Sequence, residues 1–495
     1  MKGILGDARF GVENKENRKG SALLKGAAAL GIAAVLSKLL GTMQKIPLQN
    51  LAGDEAFGIY SIVYPLYTLI LTLATAGFPL TVSRFVSEEL AWGREKEARR
   101  VLGMATAVLT VTGLLFFAVL YLGADPLAKW LGARLAAPAI RSVSFALLIV
   151  PVMAALRGYF QGRQDMVPTA VSQVVEQLIR VATMLGLLLY FLDIGASNSR
   201  IAAGATFGSV TGAVGGLAVM LIFWQRSPRS KNAKGSAAAD GEAQTAMGGG
   251  LRPEAVGLAR FVRTALAVCL GSIALPLLTL MDSVSLPSLL AKEGMGESAR
   301  LAEVGLYNHA QPLVQLIGLI ATSMSAALVP AIAEAKAQGQ MRTLKERTEF
   351  SVRFAWFIGF AASFGLMAAA EPLNVMFFTS AEGSATMGIL AFTAMFSVLN
   401  IVTGSILIGF GATTAPAVSL FAAAALKLLL NALLVPAYGI RGAAVAAVAA
   451  YALAGLANLA VLARRSGVRF GAGALLWRPL AAAAAMCAAV AAVRF

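Results

Sequence analysis

RGYFQGRQDMVPTAVSQVVEQLIR, residues 157–180, joins two apolar runs and carries charge into the second. Pro168 suits the first turn of a helix, where its missing N–H leaves nothing unsatisfied. From there Glu176 and Arg180 fall four apart on one helical face and can pair. Behind them VATMLGLLLYFL (181–192) offers no polar escape. An arginine among such residues is costly in a bilayer unless it faces a protein interior or a water-filled cavity. The pattern recurs: Pro416 precedes an apolar run that carries Lys427, 247 positions after Arg180. The two cations read as one site presented by two related halves.

Working outward, composition agrees with a membrane chain. The 495 residues are 58% hydrophobic and 13% charged, with mean hydropathy +0.75. Apolar runs of about 20 residues recur along the sequence, and each can cross the hydrocarbon core as a helix. They are too long and too poor in alternation for barrel strands. The expected fold is an all-α polytopic membrane protein with thirteen spans, at about 22–44, 57–83, 101–123, 142–161, 168–192, 201–224, 260–283, 310–332, 351–370, 385–409, 414–436, 442–463 and 474–493. DPLAKWLGARLAAPAI (125–140) is too short and charged to span and reads as an interfacial helix or a loop.

The net charge of +16 is a matter of topology rather than nucleic-acid binding, because the basic residues sit between apolar runs. With the N-terminus inside, alternate loops hold 28 Lys and Arg inside against 8 outside. That imbalance puts the N-terminus in the cytoplasm and the chain in the cytoplasmic membrane. No cleavable signal peptide is evident. Cys269 and Cys487 lie in apolar runs and read as packing residues.

Residues 1–20 read as a cytoplasmic tail, 21–225 as an N-lobe of six spans and 254–464 as a C-lobe of six. Residues 226–253, rich in Ser, Gly, Ala and charge, read as a flexible cytoplasmic linker between the lobes. Residues 465–495 add a C-terminal helix. An internal repeat supports the division. GIYSIVYPL begins at Gly58 and GLYNHAQPL at Gly305, again 247 apart, with Gly, Tyr, Pro and Leu in register. Basic polar segments follow both, SEELAWGREKEARR (87–100) and EAKAQGQMRTLKERT (334–348). Six spans per half is an even number, so both halves enter from one side. Parallel repeats with a substrate between them follow.

The loops hold no metal-ligand cluster and no nucleophile–base pair. No G-x-x-x-x-G-K-[ST] loop is present, which excludes direct nucleotide drive by that motif. The single histidine, His309, opens the eighth span and reads as a satisfied polar residue. What remains is embedded charge: Lys38, Arg180 and Lys427 against Glu176 and Asp282. A structural ion pair is one reading of each. The cationic surplus favours an anionic ligand such as a phosphate or pyrophosphate. Asn400, Asn431 and Asn458 are further polar handles, as ligand contacts or as interhelical bonds.

Residues 157–181, together with SKLLGTMQKIPL (37–48), residues 58–88, AALVPAIAEA (326–335) and LKLLLNALLVPAYGIRGAA (426–444), resemble the stage V sporulation protein B group of polysaccharide-biosynthesis membrane proteins. That group stands with the MurJ-type lipid II flippases and, more distantly, the MATE exporters. The resemblance covers nearly the whole chain. It implies a non-enzymatic flippase with two MATE-like six-helix lobes, a central cationic cavity and alternating access. The implied partner is an undecaprenyl-pyrophosphate-linked oligosaccharide precursor, with membrane lipids and envelope-synthesis proteins around it, and no cofactor beyond Na⁺ or H⁺ coupling.

Ser37 and Lys38 match the family's S-[RK]-x-x-G pattern, whose basic residue is held to meet the lipid head group. A second basic residue is expected about six positions on; Gln44 stands there and Lys45 follows. The family's proline near Ile317–Gly318 is missing, and its usual fourteen helices exceed the thirteen read here. Ser37, Lys38, Glu176, Arg180, Lys427 and Asn431 are the candidate substrate-binding residues, and Asp282 the candidate for cation coupling. Two other readings stand beside this one. A cation-coupled drug exporter would need a net acidic interior, and an envelope-synthesis scaffold would work with its embedded charges neutralised.

Overall fold

The computed structural model describes residues 26, 28–75, 77–226, 257–468, 471 and 477–494, and these are helical with no strand among them. Residues 28–43 form α1. It is followed by α2 (Lys45–Thr75), α3 (Phe78–Ala91), α4 (Glu95–Leu122), α5 (Ala124–Trp130), a 3₁₀ turn (Arg134–Ala136), α6 (Ala137–Ser144), α7 (Ala146–Gly162), α8 (Val167–Asp193) and α9 (Asn198–Arg226). The second part comprises α10 (Leu258–Ser272), α11 (Ala274–Ala291), α12 (Glu297–Asn308), α13 (Ala310–Ala337), α14 (Met341–Ala368), α15 (Ala370–Phe378), α16 (Ser384–Leu390), α17 (Phe392–Gly409), α18 (Thr414–Ser466) and α19 (Arg478–Arg494). The expected tail 1–20 and nearly all of the expected linker 226–253 lie outside the described residues.

Nine helical runs among the described residues are long and apolar enough to cross a membrane. Two of them hold more than one crossing. Ala28–Ala91 is 64 residues long; at about 1.5 Å per residue a straight helix of that length would be about three times the hydrocarbon thickness. Gly53 breaks it with φ 80° and ψ 175°, a conformation open to a residue without a Cβ. Gly439 (φ 53°, ψ −140°) breaks the 53-residue α18 in the same way. Both breaks fall between spans that hydropathy separates. The outer faces are apolar: Leu122, Ile32 and Val111 are 77%, 69% and 66% exposed. In water such faces would be a liability; in lipid they are the required surface. The chain is a multi-pass membrane protein.

Residues 125–140, expected as an interfacial helix or a loop, are largely helical. They form α5, the 3₁₀ turn and the start of α6, and Arg134–Gly162 is one apolar run. An ion pair between Arg141 and Asp125 joins α6 to α5, so the local charges are satisfied by each other. Residues 297–308, which hydropathy leaves out of the eighth span, form α12. Charged and polar residues run through its sequence, ESARLAEVGLYN, yet Leu301, Val304, Leu306 and Tyr307 are buried, so tertiary packing supplies what the periodicity lacks. The interruption of this span falls at His309, between α12 and α13, and α13 runs through Ile317–Gly318 unbroken. Pro312 sits in the first turn of α13, where proline is tolerated.

The two halves meet most tightly where α2 crosses α12. A Cβ on Gly58 would lie 1.8 Å from the Leu301 carbonyl oxygen, and one on Gly305 would lie 2.1 Å from that of Asp54. The glycines that the sequence sets 247 apart face one another's helices, and their missing side chains permit the contact. The crossing closes one end of the space between the halves.

Candidate functional site

Away from that crossing the halves enclose a chamber of about 570 Å³. Its wall draws on α1, α2, α7 and α8 from the first half and α11, α13, α17 and α18 from the second. Lys38, Lys45, Arg157 and Arg180 line it, and Glu176 is the one carboxylate among its described lining residues.

Glu176 is shared. Its Oε1 accepts from Arg180 at 2.9 Å and its Oε2 from Arg157 at 2.8 Å. Arg157 also donates to Ser172 Oγ at 2.8 Å, and that hydroxyl donates to the Gly216 carbonyl. One carboxylate between two guanidiniums leaves a positive charge uncompensated. Arg180 Nε and Gln177 Nε2 are buried donors with no hydrogen-bond partner among the described residues, and both side chains line the chamber. Buried donors without partners cost free energy.

Ser37 donates to the Gln173 carbonyl at 3.3 Å, fixing α1 against α8. Lys38 is exposed and Lys45 half-buried. They are seven positions apart, two helical turns, and so share a face. Lys45 Nζ lies 5.9 Å from the centre of the Tyr64 ring, within cation–π range. Gln44 instead turns away and donates to Tyr60 Oη at 3.4 Å. Lys45, the first residue of α2, is the basic side chain that lines the chamber here.

Lys427 does not line the chamber. Its Nζ meets Asp282 Oδ2 at 2.6 Å, and the two side chains are 3% and 10% exposed. Tyr307 Oη donates to the same Asp282 oxygen at 2.8 Å, and Asn431 donates to Asp282 Oδ1 at 3.2 Å and to Ser285 Oγ at 2.8 Å. The sequence grouped Lys427 and Asn431 with Arg180 as ligands; packing places them in a buried ion pair between α18 and α11. The corresponding positions of the two halves face different neighbours, since Arg180 finds its carboxylate on its own helix and Lys427 on another. Asp282 also borders a smaller cavity of about 120 Å³ that shares Lys45, Tyr64 and Gln311 with the chamber. The lysine ammonium already holds the carboxylate oxygen that a coupling cation would take.

Of the asparagines, Asn400 borders the chamber. Its Oδ1 accepts from Asn458 at 2.8 Å, and Asn458 accepts from Ser419 at 2.7 Å, so these bonds tie α17 to α18. Arg157 and Lys45 also line the chamber, and neither was among the candidate site residues. Helical spacing from Lys38 could have found Lys45. Nothing local marks Arg157, whose partner Glu176 is 19 positions away on the next span. No group of three or more His, Cys, Asp or Glu among the described residues could hold a metal ion.

Beside the chamber runs an apolar groove between α1 and α13, lined by Gly31, Ile32, Val35, Leu36, Leu39 and Thr322 among others. Ala34 borders both spaces, so a charged compartment and an apolar one adjoin on either side of α1.

Residues 23–336 match the family model described as polysaccharide biosynthesis protein. The chain belongs to the polysaccharide biosynthesis protein family. A second model, MatE, matches residues 299–433. The chain is 33% identical to an uncharacterized membrane protein, YabM, of Bacillus subtilis over 85% of this chain and 76% of that one. It is 31% identical to the lipid II flippase MurJ of the same organism over 86% and 80%, and 26% identical to its stage V sporulation protein B over 74% and 69%. Solved structures share the polysaccharide biosynthesis protein fold: an inward-facing MATE multidrug resistance transporter of the MOP superfamily (TM-score 0.69, 15% identity, 87% of this chain and 94% of that one), and lipid II flippase MurJ in an inward closed conformation (TM-score 0.68, 12% identity, 94% and 93%).

Proposed function

We propose that the chain is a flippase for an undecaprenyl-pyrophosphate-linked cell-wall or polysaccharide precursor, working by alternating access in the cytoplasmic membrane. The carrying observation is the chamber wall, with four cations and one carboxylate. A pyrophosphate is multiply anionic, and guanidinium and ammonium groups in a low-dielectric wall bind it through charge-assisted hydrogen bonds. Lys38, Lys45 and Arg180 hold the phosphates, with Ser37 and Glu176 orienting the helices that carry them. The sugar occupies the rest of the chamber, and the apolar groove beside α1 suits a prenyl tail that stays in contact with lipid. Family membership and the lipid II flippase relative support the same cargo class.

The two halves act as parallel six-span lobes. With the Lys- and Arg-rich loops and the N-terminus inside, the α2–α12 crossing lies at the outer end, so the chamber loads from the cytoplasm. The lobes rock apart at that crossing to release the head group outside. Each charge moved across the membrane is worth about 2.3 kcal/mol per 100 mV, enough for the membrane potential or an ion gradient to bias the cycle. Complementation of a strain lacking its peptidoglycan-precursor flippase, with the accumulated lipid intermediates identified, tests the cargo. Failure to complement and no change in any lipid-linked intermediate would refute it.

The MatE match favours a second reading, a cation-coupled drug exporter. Its cargo is usually cationic and would meet a repulsive wall here. Drug-resistance assays in a pump-deleted host separate the two: protection against cationic drugs supports the exporter, and its absence with successful complementation supports the flippase.

A further inference from the structure

The chain contains one histidine, and it is fully buried where the two halves meet. His309 Nε2 lies 2.7 Å from Asp54 Oδ1, and Nδ1 lies 2.8 Å from Asn374 Oδ1. The ring stacks on Phe378 with centroids 4.2 Å apart. Asp54 belongs to α2 of the first half, whereas His309 and Asn374 belong to the second.

The hydrogen bonds count the protons. Asn374 Nδ2 donates to the Glu382 carbonyl at 2.6 Å and to Ser384 Oγ at 3.1 Å. A flipped amide would set its oxygen against that carbonyl, so Asn374 Oδ1 is the atom facing the ring, and it only accepts. Asp54 Oδ1 also accepts, taking a bond from Gln49 Nε2 at 3.0 Å. Both ring nitrogens therefore face acceptors. A neutral imidazole has one N–H, so with an ionised Asp54 it would leave one lone pair pressed against another. The contact is satisfied when the Asp54–His309 pair holds one more proton, as imidazolium with carboxylate or as imidazole with carboxylic acid.

We infer that Asp54, His309 and Asn374 form a proton-operated latch that holds the α2–α12 end of the molecule shut. Separating the halves takes Asp54 away from His309 and gives the ring to water. There water replaces the two acceptors, and nothing in the contact requires the extra proton. Closure takes up a proton, so acid favours the closed end and alkali favours its opening. Carboxylates gather near the latch: Glu303 of α12 lies within electrostatic reach of Asp54, Glu382 and Glu293, and Glu55 beside Asp54 is held by Asn198 and Ser298; Arg300 stands on α12 beside Leu301, whose carbonyl meets Gly58. The extra proton, on either partner, lowers the negative charge gathered there. Other contacts, Asn50 to the Phe377 carbonyl and Leu135 N–H to Glu297, also join the two halves.

This inference rests on the alternating-access reading for what opens, and its test reads opening directly. Hydrogen–deuterium exchange of the full chain in lipid nanodiscs is followed from pH 5.5 to 8.5, with rates corrected for intrinsic exchange. Peptides covering 45–60 and 297–310 should be protected at low pH, and their exchange should rise by up to tenfold per pH unit, the limit for one proton. His309→Gln removes the titrating ring and should flatten the profile; Asp54→Asn, which preserves size, should do the same and serves alone where the glutamine variant does not fold. A flat wild-type profile, or an unchanged pH profile in a folded variant, would overturn the latch. Flat exchange in a chain that still moves its lipid cargo refutes the latch alone; pH-dependent exchange in a chain that moves none supports the latch and counts against the flippase.

Discussion

Arg180 and Lys427 stand 247 positions apart in matching runs, yet their chemistry differs because their neighbours do. Arg180 shares Glu176 with a second arginine, and its side chain lines the chamber. Replacing Lys38 or Arg180 with Ala should cut arrival of the lipid-linked precursor in the outer leaflet at least tenfold while leaving the fold intact, since each removes a charge-assisted bond worth about 1.5–3 kcal/mol. Undiminished transport in both variants would remove them from the site. Lys427→Ala should act on stability: Asp282 would be left buried and unpaired, at a cost of about 3–5 kcal/mol. The double variant Lys427→Met with Asp282→Leu should recover most of that loss, as read by thermal unfolding in detergent. Equal unfolding temperatures for wild type and Lys427→Ala would contradict the buried pair. The sequence could find these charges but could not sort them, because the sorting depends on which helix lies opposite.

At the scale of elements, the legible features were those carried by local pattern. Span positions, the breaks near Gly53 and Gly439, and the shared face of Lys38 and Lys45 follow from hydropathy and helical period. The missed elements include α12 and α15, which lie between the spans that hydropathy marks; α12 is buried against α2 through Leu301, Val304, Leu306 and Tyr307. Its crossing gives a prediction. Gly305→Ala puts a methyl where the Asp54 carbonyl lies 2.1 Å from the ideal position, so the helices must part. Overpacking of this kind costs about 1–3 kcal/mol, and it falls on the closed arrangement. Exchange of residues 45–60 should rise at every pH, in contrast to the pH-dependent change expected of the latch. Unaltered protection would mean that this crossing does not hold the end shut.

For the whole molecule, the distribution of basic residues predicts sidedness. In a background with Cys269 and Cys487 replaced, a cysteine at Ser236 should react with a membrane-impermeant maleimide only after the membrane is opened. One at Ser197, exposed between α8 and α9, should react in intact cells. The reverse pattern would turn the molecule over and with it the direction of transport. The closed end and the chamber both lie between the halves, so each property depends on how the halves are set against each other.

Hydrophobic runs, glycine breaks and the paired motifs determined by themselves that this chain spans a membrane many times and buries charge within it, because transfer free energy and helical period act locally. The tertiary structure alone decided that Arg157 joins the chamber, that Lys427 is consumed by Asp282, and that His309 bridges the halves. These outcomes turn on contacts between residues 19 to 255 positions apart, where a charge is a ligand or a brace according to what packing brings within about three ångströms of it.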